Sequence, residues 1–188
     1  MKKFELTSEF VTFLGKTLFR IKALVSFGDV AEGELGGFIE RENNLDQSGD
    51  AWVYGDARVY GDAQVCGDAR VYGDARVYGD AQVCGDAWVY GDAWVYGDAQ
   101  VCGDARVCGD ARVQNCRDYS ATSCFGSENR TTTFFRTKDG GISVRCGCFY
   151  GTLREFREKV KERHGDSRLA KEYLMLADLM EFRLSKDE

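Results

Sequence analysis

The cysteine side chains could bind a metal ion, because the sequence contains eight of them and three recur at a fixed interval. Cys66, Cys84 and Cys102 are evenly spaced, and Cys146 and Cys148 flank a single glycine. A zinc ion needs ligands on four sides, which a straight row of thiols cannot provide. The Cys146–Cys148 pair lacks a second Cys or His pair at suitable spacing. We therefore predict no metal and no other cofactor.

Acid–base catalysis would have to use His164, the single histidine of the chain. It lies in the C-terminal segment and is followed by Gly165, a pair that is typical of a helix end. The sequence contains no Ser/His/Asp arrangement, no phosphate-binding loop and no GxGxxG motif that opens a helix. These observations predict a protein that is not an enzyme.

Aspartate is the third regularly spaced group, because it occurs at every sixth position from Asp50 to Asp110. Like charges stacked at the strand spacing of about 4.8 Å repel one another, although water keeps the cost modest. Two interpretations stay open. The aspartates either shape turns by bonding to neighbouring backbone, or form a surface of regular negative charge that approximates a nucleic-acid backbone.

The elements that position these side chains are six-residue repeats of the form Ala-x-Val-(Tyr/Cys)-Gly-Asp, which fill residues 51–113. Ala-x-Val alternates inward, outward and inward as a short strand does, and Gly-Asp supplies a turn. The variant AQVCGD returns at every third repeat, at 63–68, 81–86 and 99–104. Three repeats of six therefore make one coil of eighteen, and positions i and i+18 should stack. Such short-period self-similarity predicts a triangular solenoid.

An aliphatic residue at every sixth position, with a small residue two places before it, resembles the hexapeptide-repeat family. The resemblance implies a mainly β fold, a left-handed parallel β-helix whose coils of eighteen each take three repeats. Acyltransferases of that family use a histidine of the coiled region, and its carbonic-anhydrase branch binds zinc through three histidines. Residues 51–113 contain no histidine. An acyltransferase-like enzyme with an atypical site therefore remains only as an alternative.

The flanking segments predict three regions. Residues 1–48 should form N-terminal strands and an irregular first coil, with a two-residue excess between Leu45 and Val53. Residues 49–126 should form the solenoid, ending in a degenerate coil that keeps the six-residue step at Tyr119 and Phe125. Residues 127–188 should form a β-hairpin and two helices.

Two helix starts can be read in the C-terminal region. Thr152 and Glu155 form a capping box at the first helix, and Ser167 is placed to cap the second. One apolar face is predicted on the second helix, and it consists of Leu169, Tyr173, Leu176, Met180 and Leu184.

Stacking of every third repeat sorts the outward side chains onto three faces, two aromatic and cationic and one uncharged. Exposed aromatic and Arg side chains are typical anchors of interfaces, which makes the following residues interaction candidates: Trp52, Arg58, Arg70, Tyr72, Arg76, Trp88, Tyr90, Trp94, Tyr96 and Arg106. The flat third face and the helical tail predict self-association through Gln64, Cys66, Gln82, Cys84, Gln100, Cys102, Tyr173, Leu176 and Met180. Alternatively, the regular columns record recent duplication of the repeat.

Charge is unevenly distributed along the chain, which carries a net −6. Residues 49–112 hold eleven Asp and five Arg, whereas residues 130–188 hold thirteen Lys or Arg and ten Asp or Glu. The start Met-Lys-Lys-Phe-Glu lacks the apolar core of a signal peptide, and no apolar run is long enough to span a membrane. We expect a cytoplasmic protein with reduced thiols and no membrane contact.

Three stretches together resemble small hexapeptide-repeat proteins carried by phages and prophages: FGDVAEGELGGFIERENNL, YGDARVYGDA and KDGGISVRCGCFYGTLREF. That resemblance implies a non-catalytic inhibitor in the cytoplasm of a bacterial host, where it would contact a protein of a defence or DNA-processing system. The partner would be a host protein or a protein–nucleic-acid complex, and direct binding to nucleic acid is not expected. A homodimer is the oligomeric state that we predict.

Overall fold

The fold consists of an N-terminal group of strands, a parallel β-solenoid, and a C-terminal sheet with two helices. The structure is a computed structural model and describes residues 2–185. The N-terminal strands are β1 (Phe4–Phe13), β2 (Lys16–Ala23) and β3 (Leu35–Ile39). The solenoid strands are β4 (Trp52–Val53), β5 (Arg58–Val59), β6 (Gln64–Val65), β7 (Arg70–Val71), β8 (Arg76–Val77), β9 (Gln82–Val83), β10 (Trp88–Val89), β11 (Trp94–Val95), β12 (Gln100–Val101), β13 (Arg106–Val107) and β14 (Arg112–Val113). The C-terminal elements are β15 (Tyr119–Phe125), β16 (Arg130–Arg136), β17 (Ile142–Cys146), β18 (Phe149–Thr152), α1 (Leu153–His164) and α2 (Arg168–Leu184).

The solenoid has three faces, and each strand pairs in parallel with the strand one coil away. Face 1 contains β4, β7, β10 and β13, face 2 contains β5, β8, β11 and β14, and face 3 contains β6, β9 and β12. Trp88, for example, is in register with Arg70 on one side and with Arg106 on the other. The predicted stacking of every third repeat and the three-faced coil are thus confirmed, over about four turns.

The interior of the solenoid consists of the alanines and valines of the repeat. Every one of them, from Ala51 to Val113, has no exposed surface. From Val53 to Val95, the backbone on either side of the valine pairs with the next coil: the amide of Gln64 donates to Ala81 at 2.9 Å, and that of Cys66 to Val83 at 3.0 Å. Burial of the apolar side chains and backbone pairing therefore follow from the same three residues of each repeat.

The turns require glycine for two reasons, which Gly67 illustrates. Its φ of +69° lies in the left-handed region, where residues with a Cβ are strained. A Cβ at this position would also lie 2.9 Å from the backbone nitrogen of Gly85 in the next coil. Stacking the turns at strand spacing leaves no room for a side chain on that side.

The first coil is irregular, as the sequence predicts. Ile39 is in register with Val59, and Leu45 forms a parallel bridge with Val65. The two partners of each of these pairs lie two positions further apart in the sequence than the partners of a regular pair. The first regular pair is Val53 and Val71. The two-residue excess between Leu45 and Val53 is therefore present.

The N-terminal strands close the first open end of the solenoid. The antiparallel β1–β2 hairpin pairs with β3 and so extends the sheet of face 2. Phe4, Ile21 and Ala23 are buried against the first regular coil. Lys3 is also buried, and its ammonium donates to the carbonyl of Ala51 at 2.9 Å. Covering the end in this way hides strands and apolar residues that would otherwise invite association with another copy.

The regular coils end at Val113, where Asn115 and Cys116 replace the Gly-Asp turn. The buried carboxylate of Asp118 accepts hydrogen bonds from the amides of Gln114 and Asn115 at 2.9 and 3.0 Å. This carboxylate satisfies backbone donors that a following coil would otherwise have paired.

The prediction of a degenerate coil up to residue 126 is wrong. Residues 119–125 form β15, which pairs antiparallel with β16, and the C-terminal sheet has the order β15-β16-β17-β18. The predicted hairpin is present as β16 and β17, with one further strand on each side. Tyr119 and Phe125 preserve the six-residue step but lack the inward alanine and the glycine turn of a coil.

Strand β16 connects the solenoid to the helices, because its consecutive residues face opposite sides of the sheet. Phe135 is fully buried in the core of the solenoid, whereas Phe134 is fully buried among the residues of α1 and α2. The amide of Arg106 donates to the hydroxyl of Thr133 at 3.0 Å, which adds a polar contact to this junction.

Both predicted helices and their caps are present. The Thr152 hydroxyl accepts from the amide of Glu155 at 3.2 Å while the Glu155 carboxylate accepts from the amide of Thr152 at 2.8 Å. The Ser167 hydroxyl accepts from the amide of Ala170 at 3.2 Å. Neither helix of the described chain has the length and apolar character that crossing a membrane requires.

Candidate functional site

Face 1 carries a column in which arginine and tryptophan alternate along the axis of the solenoid. The guanidinium carbons of Arg70 and Arg106 lie 5.4 and 4.7 Å from the ring centroid of Trp88, one coil away on either side. Beside this column, the rings of Tyr72 and Tyr90 stack at 4.9 Å with planes 3° apart. The contacts hold both columns in an ordered arrangement before any partner is present.

The column of Arg70, Trp88 and Arg106 forms the floor of a groove, which we call the face-1 groove. It encloses about 810 Å³ and is closed at one end by residues of the C-terminal sheet, among them Arg145. Beyond the other end, Asp29 accepts hydrogen bonds from both terminal nitrogens of Arg70, at 2.5 and 2.7 Å. One wall consists of turn aspartates that stack from coil to coil: Asp50, Asp68, Asp86 and Asp104.

Arg106 is the member of the stack with the greatest freedom to contact a partner. Its side chain is exposed, and within residues 2–185 its guanidinium makes no ion pair within 4.0 Å. Trp88 is half-buried, so the edge of its ring remains accessible between the two guanidinium groups. A cation and an aromatic edge on a rigid floor are well suited to contact a protein surface.

Face 2 carries a chemically matching stack, but other parts of the chain engage it. Arg76 and Arg112 lie 4.7 and 4.2 Å from the centroid of Trp94. The ring of Phe13, at the end of β1, packs under Arg58 and Arg76 at 4.6 and 4.8 Å.

The guanidinium of Arg112 donates to three backbone carbonyls, those of Asp92, Asp110 and Ala111, at 2.8 to 3.1 Å. Tyr60, Tyr78 and Tyr96 stack beside this column at 5.0 and 5.1 Å. The side chains of face 2 therefore serve packing within the chain to a greater extent than those of face 1.

Trp52 does not belong to the surface, contrary to the prediction. Its side chain has no exposed area, and its ring lies 6.2 Å from that of Phe4 and 5.4 Å from that of Phe27. It occupies the same column as Trp88, two coils away. The N-terminal strands and the loop at Phe27 cover the column at that end, which the repeat pattern alone could not reveal.

Two members of the tyrosine columns, Tyr60 and Tyr90, have raised pKa values and remain protonated over a wide pH range. Burial raises the pKa of Tyr60 to about 12, with a smaller contribution from the neighbouring Tyr78. Burial also raises the pKa of Tyr90, and a hydrogen bond with Cys108 acts in the same direction. These phenols are therefore neutral groups that add aromatic surface and hydroxyls but no charge to the faces.

Face 3 is flat and uncharged between its turns. Gln64, Gln82 and Gln100 are exposed, and beside them lie the thiols of Cys66, Cys84 and Cys102. The hydroxyl of Tyr119 donates to the carbonyl of Gln100 at 2.6 Å and marks one end of the face. All eight cysteines are free thiols. Among the described residues, no cluster of His, Cys, Asp and Glu side chains has an arrangement that could hold a metal.

The thiol of Cys84 should resist alkylation. Burial raises the pKa of Cys84 to about 11, with a further contribution from the hydrogen bond with Cys102. Because the thiolate is the nucleophile, its reaction at pH 8 should be about 100-fold slower than that of an ordinary cysteine. Peptide mass spectrometry after timed iodoacetamide labelling measures this rate, with exposed Cys116 as the reference. Equal labelling of the two residues would contradict the raised pKa of the Cys84 thiol.

The α2 residues that were predicted to support self-association instead pack against other parts of the same chain. Tyr173, Leu176 and Met180 are buried and pack against the C-terminal sheet and α1. The exposed apolar side chains of α2 are instead Met175, Leu179 and Phe182. The apolar face predicted from the helical period is thus the face of α2 that packs inside, but it packs within the chain instead of being free for a second copy.

The turn aspartates project into solvent. Among the described residues, only Asp56 and Asp62 of the regular turns lie within 4.0 Å of a cationic side chain, Arg20 and Arg41 respectively. In the same part of the chain, Asp68 alone of these aspartates accepts a backbone hydrogen bond, from the amide of Asp50 one coil away. Hydrogen bonding to the neighbouring backbone therefore explains few of them.

Among known protein families, one family model matches the central repeats of this chain. The YdcK beta-solenoid repeat model matches residues 51–67, 63–79, 69–82 and 81–97, which together span about a quarter of the chain. The central repeats are thus similar to the β-solenoid repeats of that family, in agreement with the observed coils. No curated protein matches the sequence.

Proposed function

We propose that the protein is a non-catalytic binding protein that engages another macromolecule through the face-1 groove. The observation that carries this proposal is the Arg70–Trp88–Arg106 stack, which lies on the floor of the groove with Arg106 exposed. Trp and Arg are the residues that most often dominate binding energy at interfaces. Immobilising a side chain on binding costs about 0.5 to 1.5 kcal/mol. Because stacking already orders these side chains, binding avoids most of that cost for each of them.

The charges of the groove favour a protein partner over nucleic acid. Its floor is cationic, but its wall carries four stacked carboxylates, of Asp50, Asp68, Asp86 and Asp104. A phosphate backbone laid along the groove would meet these carboxylates at close range, and like charges repel. A protein surface can present both signs of charge and can match wall and floor together.

The sequence resemblance to phage and prophage proteins suggests what such binding would achieve. We propose that the target is a bacterial host protein or a protein–nucleic-acid complex of a defence or DNA-processing system, and that binding inhibits it in the host cytoplasm. The rows of exposed aspartates support a nucleic-acid-binding target, because they present negative charge at about 4.8 Å intervals. A homodimer remains part of this proposal, with face 3 as its interface.

Affinity purification of the tagged full chain from bacterial lysate tests the proposal. We expect one stoichiometric protein, identified by mass spectrometry, whose affinity for the Trp88→Ala variant falls about 30-fold or more, as is typical of a hot-spot residue. Trp94→Ala is the matched control, because Trp94 makes the same stack on face 2. Equal loss with both variants would contradict the assignment to face 1.

An acyltransferase-like enzyme is the second candidate, and one observation favours it. His164 lines a cleft in the C-terminal region together with Cys146, Cys148 and Tyr173. Its ring stacks on that of Tyr173 at 5.7 Å. If His164→Ala abolished the biological effect while the fold and partner binding were retained, a catalytic role would replace the proposal of simple binding.

A further inference from the structure

The C-terminal region contains a second cavity, which neither the repeat pattern nor the face-1 groove accounts for. It encloses about 560 Å³ between the C-terminal sheet and the two helices. We call it the helix–sheet cleft. Its volume falls in the range of about 300 to 1,000 Å³ that is usual for pockets of small molecules.

The floor of the cleft is aromatic and rigid. The ring of Phe156 lies 5.6 Å from that of Phe149 and 5.8 Å from that of Tyr173, and Phe156 and Tyr173 are buried. These rings also belong to the core between α1, α2 and the sheet. The floor therefore exists without a ligand and presents an apolar surface of ring faces and edges, with ring planes 53° and 85° apart.

The turn between β15 and β16 is fixed against this floor. The hydroxyl of Tyr173 accepts a hydrogen bond from the amide of Ser127 at 3.2 Å. Gly126 is required beside it, because a Cβ there would overlap the Tyr173 hydroxyl. The turn thus forms a defined wall.

The rim of the cleft is cationic, although the whole chain is acidic. Arg130, Lys159 and Arg163 all line the cleft with exposed side chains, and Glu128 is the single carboxylate among the lining residues. Glu128 approaches Arg130 at 3.9 Å, and Lys159 pairs with Glu162 at 2.8 Å. Arg163 makes no ion pair within 4.0 Å in the part of the chain that the structure describes. Its guanidinium is therefore available to an anion that enters the cleft.

We propose that the helix–sheet cleft binds a small amphipathic anion, with its aryl or acyl body on the aromatic floor and its acidic group at the Arg130–Arg163 rim. A guanidinium binds a carboxylate or sulfonate through two parallel hydrogen bonds, which favours an anion over a neutral compound of the same shape. The floor supplies affinity through burial of apolar surface, and the rim supplies the preference for negative charge.

Two dyes that share an aromatic body test the proposal on the full chain. Anilinonaphthalene sulfonate carries a negative charge, whereas phenylnaphthylamine is neutral, and the fluorescence of both rises in apolar sites. We expect the sulfonate to bind the folded protein with one-to-one stoichiometry. In the Arg130→Gln/Arg163→Gln variant its affinity should fall about tenfold, as loss of charge-assisted hydrogen bonds predicts, while the affinity of the neutral dye should not change.

Arg154→Gln is the matched control, because Arg154 lies on the same helix as Arg163, has a side chain that is 85% exposed and does not line the cleft. It should leave both affinities unchanged. Phe149→Ala should weaken both dyes, and circular dichroism shows whether that variant is folded. Equal binding of the two dyes, no effect of the double variant, or no binding to the folded chain would overturn the proposal. Displacement of the sulfonate by an acidic peptide but not by decanoate would also overturn it, in favour of a protein ligand.

Discussion

Val77→Asp is expected to abolish the folded state of the solenoid. Val77 has no exposed surface and lies at the centre of the described coils, in a core built from the alanines and valines of the repeat. An unpaired carboxylate in such a core costs several kcal/mol, which is comparable to the whole stability of about 5 to 15 kcal/mol of a typical protein. Circular dichroism should show loss of the β signal and of a cooperative thermal transition.

Arg76→Ala is the control for this variant, because Arg76 precedes Val77 in the same strand and points outward. It removes stacking on Trp94 and Phe13 but leaves the core intact, so the expected destabilisation is about 1 kcal/mol. Val83→Asp should behave like Val77→Asp, because Val83 is equally buried on face 3. A folded Val77→Asp protein with an unchanged transition would show that the alternation of inward and outward residues is wrong.

Trp52→Ala should destabilise the protein by about 3 to 5 kcal/mol, the usual cost of removing a large buried aromatic side chain. Trp52 packs between Phe4 and Phe27 and joins the N-terminal strands to the first regular coil. Its loss should leave a cavity that the hairpin cannot fill without rearranging. Chemical denaturation measures the change in the free energy of unfolding.

Trp88→Ala is the matched control in the same column. Trp88 is half-buried and contacts two guanidinium groups, so its removal should cost about 1 to 2 kcal/mol or less. The two tryptophans occupy the same position of the repeat, but Trp88 has a regular coil on either side, whereas Trp52 has one on one side and the N-terminal segment on the other. If Trp88→Ala were the more destabilising substitution, burial by the N-terminal segment would not be what distinguishes them.

The sequence predicted the structure best where the fold depends on residues that are close together in the sequence. The Ala-x-Val alternation, the glycine turns and the return of AQVCGD at every third repeat are each a direct consequence of coil geometry. The assignment of Arg70, Trp88 and Arg106 to one column follows from them. The capping box of Thr152 and Glu155 could also be read, because its contacts are local in the sequence.

Failures occurred where segments distant in sequence meet. The segment from Tyr119 to Phe125 was predicted to be a degenerate coil but is an antiparallel strand. Pairing with β16 stabilises this segment better than an incomplete repeat could. The apolar face of α2 was predicted correctly, but α1 and the C-terminal sheet cover Tyr173, Leu176 and Met180, so these residues are not free for self-association. A sequence period does not show which distant segment will pair with a strand or cover a helix face.

The sequence by itself determined the coil, its three faces and the residues in each column, since a repeat of six whose variants return at every third copy admits one stacking. Only the tertiary structure decided which members of a column stay accessible. The N-terminal strands bury Trp52, Phe13 engages face 2, and the C-terminal sheet closes one end of the face-1 groove. The helix–sheet cleft likewise arises from three elements that no single segment predicts. The accessibility of these side chains depends on packing between segments that are distant in the sequence. The repeat pattern carries no information about that packing.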